Sequence, residues 1–573
     1  MKHSIKFILS IIETVSIAGL MSLTGCKSGN KVAENADTLV LGNIITVDNE
    51  RLFAEAMTIK DGYIQYVGSK ENAMKFCDAK TKVLDYGTSS VYPGFMEGHC
   101  HGGGAGQLAS TIKLNDAFSY EEYQKIIADY IQKNPDEKMY KISGWRVLGV
   151  PPTKQLLDEI CPDKPVFGNA LDGHSMLLNT KAFELLKLDD EFIKEFGEMV
   201  QMGEDGKPTG FVTEGAASKL MKALPVDIES AKKFLLTWQD FAIRNGYVAA
   251  CEAGVNLLNT AHEAYAELAK EGALKLRTRA YYCVQPNEAN EQTVEEISRM
   301  SKEFNDEYYK IVGLKLFVDG VVESHTALLC DGYADDPDNK GMNRFPDSES
   351  LKALVLSAHR HGLPTHTHTI GDGAVKYMLD AIEYAKNTTG DNSIRDMLAH
   401  IELVKPEDID RFAKYNVSAL VSALWAPKNA ITPFEQEVSL LGEERSVEPY
   451  QVINSFVKMG VNCAQHTDYP VSTAINVPLS IYCAVTRCLP GGDARNTRNP
   501  DEAINRLEAL RELTINVAYL WNEEDHMGTL TPGKVANYVV YDRDFIHDDI
   551  ESIPDAKLLH VVIDGEEAYS NAQ

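Results

Sequence analysis

Residues 351–384 read LKALVLSAHRHGLPTHTHTIGDGAVKYMLDAIEY, and this stretch decides the fold class. Leu351–His361 reads as a helix, Leu363–His368 as a strand ending in histidine, and Ala374–Tyr384 as a second helix after Gly371-Asp372-Gly373. The pattern repeats on both sides. Lys310–Phe317 is a strand before later helix, and Pro406–Phe412 opens a helix whose first turn is acidic, as the helix dipole favours. Strand–helix alternation on this scale indicates parallel βα units closed into a (β/α)8 barrel. A closed barrel takes about 250 residues. The span 93–525 is far longer, so large insertions are expected, the largest between His101 and Lys315, roughly 110–310.

The two ends differ from this middle. Thr38–Leu41, Ile44–Val47, Ala56–Ile59 and Tyr63–Val67 are short strand-like runs divided by Gly42-Asn43, Asp48-Asn49 and Asp61-Gly62. Val535–Tyr541 and Leu558–Ile563 look alike, with turns at Gly533-Lys534 and Asp564-Gly565. These features predict one small β-sandwich domain composed of residues 37–92 and 526–573.

The 573 residues carry a net charge of -28 and no basic patch, which argues against a nucleic-acid partner. Residues 1–26 read as an export signal: Lys2 and Lys6, an apolar run from Phe7 to Leu23 interrupted by Glu13, then Leu23-Thr24-Gly25-Cys26. That ending resembles a bacterial lipobox, in which the cysteine is lipidated and becomes the new N-terminus. Residues 27–36 would be a polar tether, and the protein would sit in the bacterial cell envelope, on the extracytoplasmic side, held by the lipid alone. The nine other cysteines form no C-x-x-C pair and read as buried small side chains rather than a disulfide framework.

Chemistry concentrates at strand ends. Val91–Met96 leads into Glu97-Gly98-His99-Cys100-His101, and residues two apart on a strand point the same way, so His99 and His101 can reach one metal ion. A pair of surface histidines on a loop is the plain alternative. His368, His400 and Asp468 each end an apolar run far downstream. In a parallel barrel such ends converge on one face, where they would offer nitrogen and oxygen ligands suited to zinc. His366, one pleat below His368, is expected to pack, and His359 and His361 to face solvent.

The order of H-x-H, a strand lysine, two single strand-end histidines and an aspartate resembles the amidohydrolase superfamily, and more closely its amidohydrolase-3 branch, which includes N-substituted formamide deformylases. The similarity spans roughly 37–570 and rests on Pro93-Gly94-Phe95, Gly173-His174 with Asn179, Pro208–Phe211 with Glu214, and Lys315–Gly320. It continues through His368–Asp372, Pro406–Asp408 with Arg411-Phe412, Asp468–Val471 and Gly528–Asn537. The resemblance implies divalent metal, zinc the first choice, as two ions with a single-ion site the alternative. His99 and His101 would hold the more buried ion, and His368 and His400 the more exposed one. Lys315, carboxylated by carbon dioxide, would form the bridge. It implies Asp468 as ligand and proton shuttle, His174 as a substrate-binding or oxyanion-polarising residue, and Glu214 and Asp319 as supporting groups. One departure matters: His466-Thr467 precede Asp468 where the family usually has Gly-Ser.

The expected activity is metal-dependent hydrolysis of a non-peptide C–N bond in a small molecule (an amide, formamide or cyclic amide). Rival readings are an esterase, lactonase or deaminase using the same site, a peptidase on D-amino-acid or acylated amino-acid substrates, and a ligand-binding lipoprotein without catalysis. An oligomer is compatible with all of them.

Overall fold

The computed structural model describes residues 35–571 except 110, 115–116, 118, 146–151, 171–174, 214–215, 218, 221–225, 259, 473–474 and 493–496. Cys26, the export signal, most of the tether, His174 and Glu214 therefore lie outside the described residues.

Eight parallel strands form the central sheet, in chain order: Phe95–Cys100, Tyr247–Ala253, Arg277–Cys283, Tyr309–Phe317, Thr365–Thr369, Met397–His400, Ser418–Val421 and Cys463–Gln465. Each pairs with the next in sequence. The sheet nearly closes: after the last strand the Asp468 N–H donates to the His99 carbonyl at 3.0 Å. Gly98 permits that approach, because a Cβ there would lie 2.6 Å from the Gln465 carbonyl oxygen. Helices follow the strands and close their ends with side chains. Asp227, Asn290 and Asp347 cap Ile228–Arg244, Glu291–Glu303 and Ser348–Arg360, and Pro406 starts the acidic-first helix Pro406–Lys414.

The insertion is shorter than expected. Residues 112–213 build a separate six-stranded mixed sheet, but strands two and three of the barrel already fall at 247–253 and 277–283, inside the stretch assigned to insertion. Both strands carry charges that an interior run ordinarily lacks, and those charges are paired. Arg279 meets the Glu523 carboxylate through two nitrogens at 2.9 and 2.8 Å, and Arg277 bonds Asp564 at 2.6 Å. Glu252 accepts from Gly103 N–H at 2.9 Å and Tyr265 hydroxyl at 3.0 Å.

Both chain ends share one continuous seven-stranded sheet, which comes back on itself where Tyr63 bridges Val535 and encloses a core that includes Val40, Ile64, Tyr538 and Val562. Lys82–Pro93 is its seam, running parallel to Thr38–Ile45 and antiparallel to Tyr538–Tyr541. Gly42-Asn43 is a bulge within Thr38–Ile45 and not a turn, so two expected strands are one. No disulfide forms among the nine described cysteines, seven of which are buried.

Candidate metal centre

Three barrel strands each present two ligand-type residues two positions apart: His99 and His101 from the first, His366 and His368 from the fifth, and His466 and Asp468 just past the eighth. The pleat turns each pair to the same side. The register sets Lys315 beside His366 and Thr369 beside His400. His99, Lys315, His366, His400 and His466 are buried, while His101 and His368 are partly exposed at the mouth. Burial therefore does not separate the histidines into the expected deep pair and shallow pair.

Asp468 is the hub. Its Oδ1 lies 3.2 Å from His99 Nε2 and 3.4 Å from His101 Nε2, and its Oδ2 4.0 Å from His400 Nδ1. One ligand atom from each of His99, His101 and Asp468 falls within 4.8 Å of the other two. Lys315 Nζ approaches His99 Nε2 at 3.3 Å. His400 and Asp468 both adopt left-handed backbone, φ 79° and 54°, a strained conformation for side-chain-bearing residues that concentrates at functional sites. Burial would raise the Asp468 pKa, but His400 and His101 outweigh it and hold the carboxyl well below the usual range. Burial pulls the Lys315 amine down to about 8 and His466 to about 4. It likewise lowers the pKa of His99, His366 and His400, Lys315 adding to the effect at His99 and His366.

A surrounding set of bonds orients these groups. Asp319 accepts from His368 Nδ1 at 3.0 Å and from the Leu328, Ile370 and Gly371 N–H groups. That leaves His368 Nε2 as its other ring nitrogen. Glu97 accepts from the N–H groups of His99 (3.1 Å) and Thr467 (3.0 Å) and from the Thr467 hydroxyl (2.8 Å), joining first and last strands directly beneath the site. Burial, against these bonds, pushes Glu97 up to about 7.

The donor set suits a divalent ion. Both ring nitrogens of His400 and Oδ1 of Asp468 are buried without a hydrogen-bond partner, as expected of atoms whose partner is a cation. A model of the amidohydrolase family matches residues 82–569.

The chain belongs to the amidohydrolase family.

It is 26% identical over 549 residues to Protein LONG AFTER FAR-RED 3 of Arabidopsis thaliana, covering 93% of this chain and 92% of that protein. It is 24% identical to the N-substituted formamide deformylase of Arthrobacter pascens, covering 92% and 97%. Among solved structures, a metal-dependent hydrolase from Pyrococcus horikoshii superposes with a TM-score of 0.73 at 26% identity, covering 90% of this chain and 99% of that one. One from Pyrococcus furiosus gives 0.74 at 25%, covering 89% and 99%.

In this amidohydrolase the structure brings His99, His101, Lys315, His368, His400 and Asp468 to one end of the barrel, with Asp319 behind His368. Two expectations need correction. His366 is not plain packing: its Nε2 meets His99 Nδ1 at 2.6 Å, and its Nδ1 faces Cys251 Sγ at 3.6 Å. His99 thus has one ring nitrogen toward Asp468 and the other toward His366, which in turn reaches the sulfur. His359 does not face solvent; it is buried and meets Asp396 at 2.9 Å, and Asp396 also collects the Thr365 N–H and hydroxyl. Glu97 was overlooked as a site residue. Its only signal was an acidic residue two places before a ligand histidine in an otherwise apolar strand.

Proposed function

We propose that this amidohydrolase cleaves a non-peptide C–N bond of a small molecule (an amide, formamide or cyclic amide) at the His99–His101–Asp468 centre. The observation that carries the reading is the convergence of six ligand-type side chains from five strand ends, with both ring nitrogens of His400 and Oδ1 of Asp468 left without a hydrogen bond. His99, His101, His368, His400 and Asp468 would hold divalent metal, two ions with zinc the first choice. Lys315 would bridge them once its amine has added carbon dioxide, releasing a proton and leaving an anionic carbamate. When bound, the metal supplies Lewis acidity that lowers the pKa of water and polarises the scissile carbonyl.

The protein's own part is positional and acid–base. Asp468 Oδ1, unbonded and facing the two histidines, takes a proton from the attacking water and delivers it to the leaving nitrogen. His368 is held at the mouth by Asp319, and Glu97 holds the strands bearing His99 and Asp468 at fixed separation. His174 would contact the substrate, with Glu214 as a more distant support. The similarity to a formamide deformylase favours the C–N class. Cys26 would carry the lipid that holds the enzyme on the outer face of a bacterial membrane. No helix among the described residues is long and apolar enough to cross one.

The test pairs elemental mass spectrometry with turnover on matched amide and ester substrates, and an intact-mass search for carbon dioxide on Lys315. About two ions per chain, amide preference, and loss of turnover in Asp468→Asn with the ions retained would support the reading. A protein that takes up no metal after reconstitution would overturn it.

A further inference from the structure

His466 is the first residue after the last barrel strand, two before Asp468, and the ladder still holds its backbone, its N–H donating to the Val421 carbonyl at 3.1 Å. Its ring is 3% exposed, and neither ring nitrogen has a hydrogen-bond partner. A neutral imidazole always presents one N–H and one lone pair. Leaving such groups buried and unmet costs about 1–3 kcal/mol apiece. The neighbours cannot meet them. His99 lies 5.3 Å away between ring centres, and its nitrogens already face His366, Lys315 and Asp468. The Trp425 ring lies edge-on at 5.4 Å, its N–H given to Ser472 Oγ at 2.8 Å. The remaining neighbour is His400, 4.9 Å away and near-perpendicular, and both of its nitrogens are unmet too. Asp468 Oδ1 adds a fifth unmet atom.

Four imidazole nitrogens and a carboxylate oxygen on three adjoining side chains make no hydrogen bond, and together they have the chemistry of a metal ligand set. We infer that His466 is itself a metal ligand, binding an ion together with His400 and Asp468. This rests on the metal-dependent reading above and extends it: a buried imidazole joins the set, and imidazole-rich donors favour zinc, cobalt or nickel over magnesium and calcium.

The experiment uses the full chain, stripped with chelator and reloaded with cobalt(II) or zinc(II). Ions per chain, the rate of release to a competing chelator and the visible cobalt spectrum are measured for wild type, His466→Phe, His466→Cys, His400→Ala and Asp468→Ala. His466→Phe keeps a ring between His400 and Trp425 without a lone pair, and thermal unfolding checks that it folds. It should lose an ion or release it about 10- to 100-fold faster, with an altered cobalt spectrum. His466→Cys should restore retention and add a sulfur-to-cobalt charge-transfer band, which a merely packing role would not produce. Wild-type ion count, release and spectrum in folded His466→Phe, with loss in His400→Ala and Asp468→Ala, would overturn the inference and leave the proposed function standing. Retention in all variants would overturn both.

Discussion

Replacing Asp319 by alanine tests whether the centre is held from behind or merely lined by ligands. Asp319 is 1% exposed, and its carboxylate accepts from His368 Nδ1 and from three backbone N–H groups, at Leu328 (3.0 Å), Ile370 (3.1 Å) and Gly371 (2.9 Å). Alanine strands all three amides, at about 1–3 kcal/mol each, so the segment from Thr365 to Ala374, which carries two of them, loses about 2–6 kcal/mol of local stability. Asparagine is intermediate, because its NH2 must oppose at least one pair of those donors. Hydrogen exchange followed by mass spectrometry reads this directly: even the lower bound corresponds to about thirtyfold faster exchange at Ile370 and Gly371. His368, freed from Asp319, should also weaken metal retention about 10- to 100-fold. Exchange in Asp319→Ala matching wild type within about fivefold would refute the argument, since it would mean those amides were never held by the carboxylate.

Two further perturbations probe the buried groups around the site. His366→Phe removes the hydrogen-bond partner of His99 Nδ1 and should speed metal release about 10- to 100-fold, with His366→Gln recovering part of it; unchanged release would return His366 to a packing role. Glu512 lies under the last strand, bonded by Gln465 Nε2 at 2.9 Å, and burial raises its pKa from 4.5 to about 8. A raised acid binds its proton more tightly folded than unfolded, so stability declines as pH climbs from 4.5 to about 8, by at most roughly 4–5 kcal/mol at 1.36 kcal/mol per unit. Thermal midpoints measured from pH 5 to 8 should therefore fall less in Glu512→Gln than in wild type; parallel curves would show that Glu512 does not titrate in this window.

The sequence by itself determined the local periods and therefore the architecture. Alternation between Leu351 and Tyr384 dictates strand and helix because backbone geometry repeats every two or every 3.6 residues. The i, i+2 spacing of His99 and His101 places both imidazoles on one face for the same reason. Strand-end histidines at His368 and His400 and the acid at Asp468 are legible because each ends an apolar run.

The limits follow the same physics. Arg277, Arg279 and Glu252 obscured two barrel strands, since a buried charge reads as exposed until its partner (Asp564, Glu523 or Tyr265) is known. Glu97 meets Thr467 across 370 positions of chain, and His99 meets His366 across 267, so no local pattern could assign either. His359 looked like a solvent-facing helix residue because Asp396 is 37 residues away. Only the tertiary structure decided which polar residues found partners and which, like His400 and His466, were left buried without one. Period is a property of neighbouring residues, whereas satisfying a buried donor or acceptor depends on whatever the folded chain brings within hydrogen-bond reach.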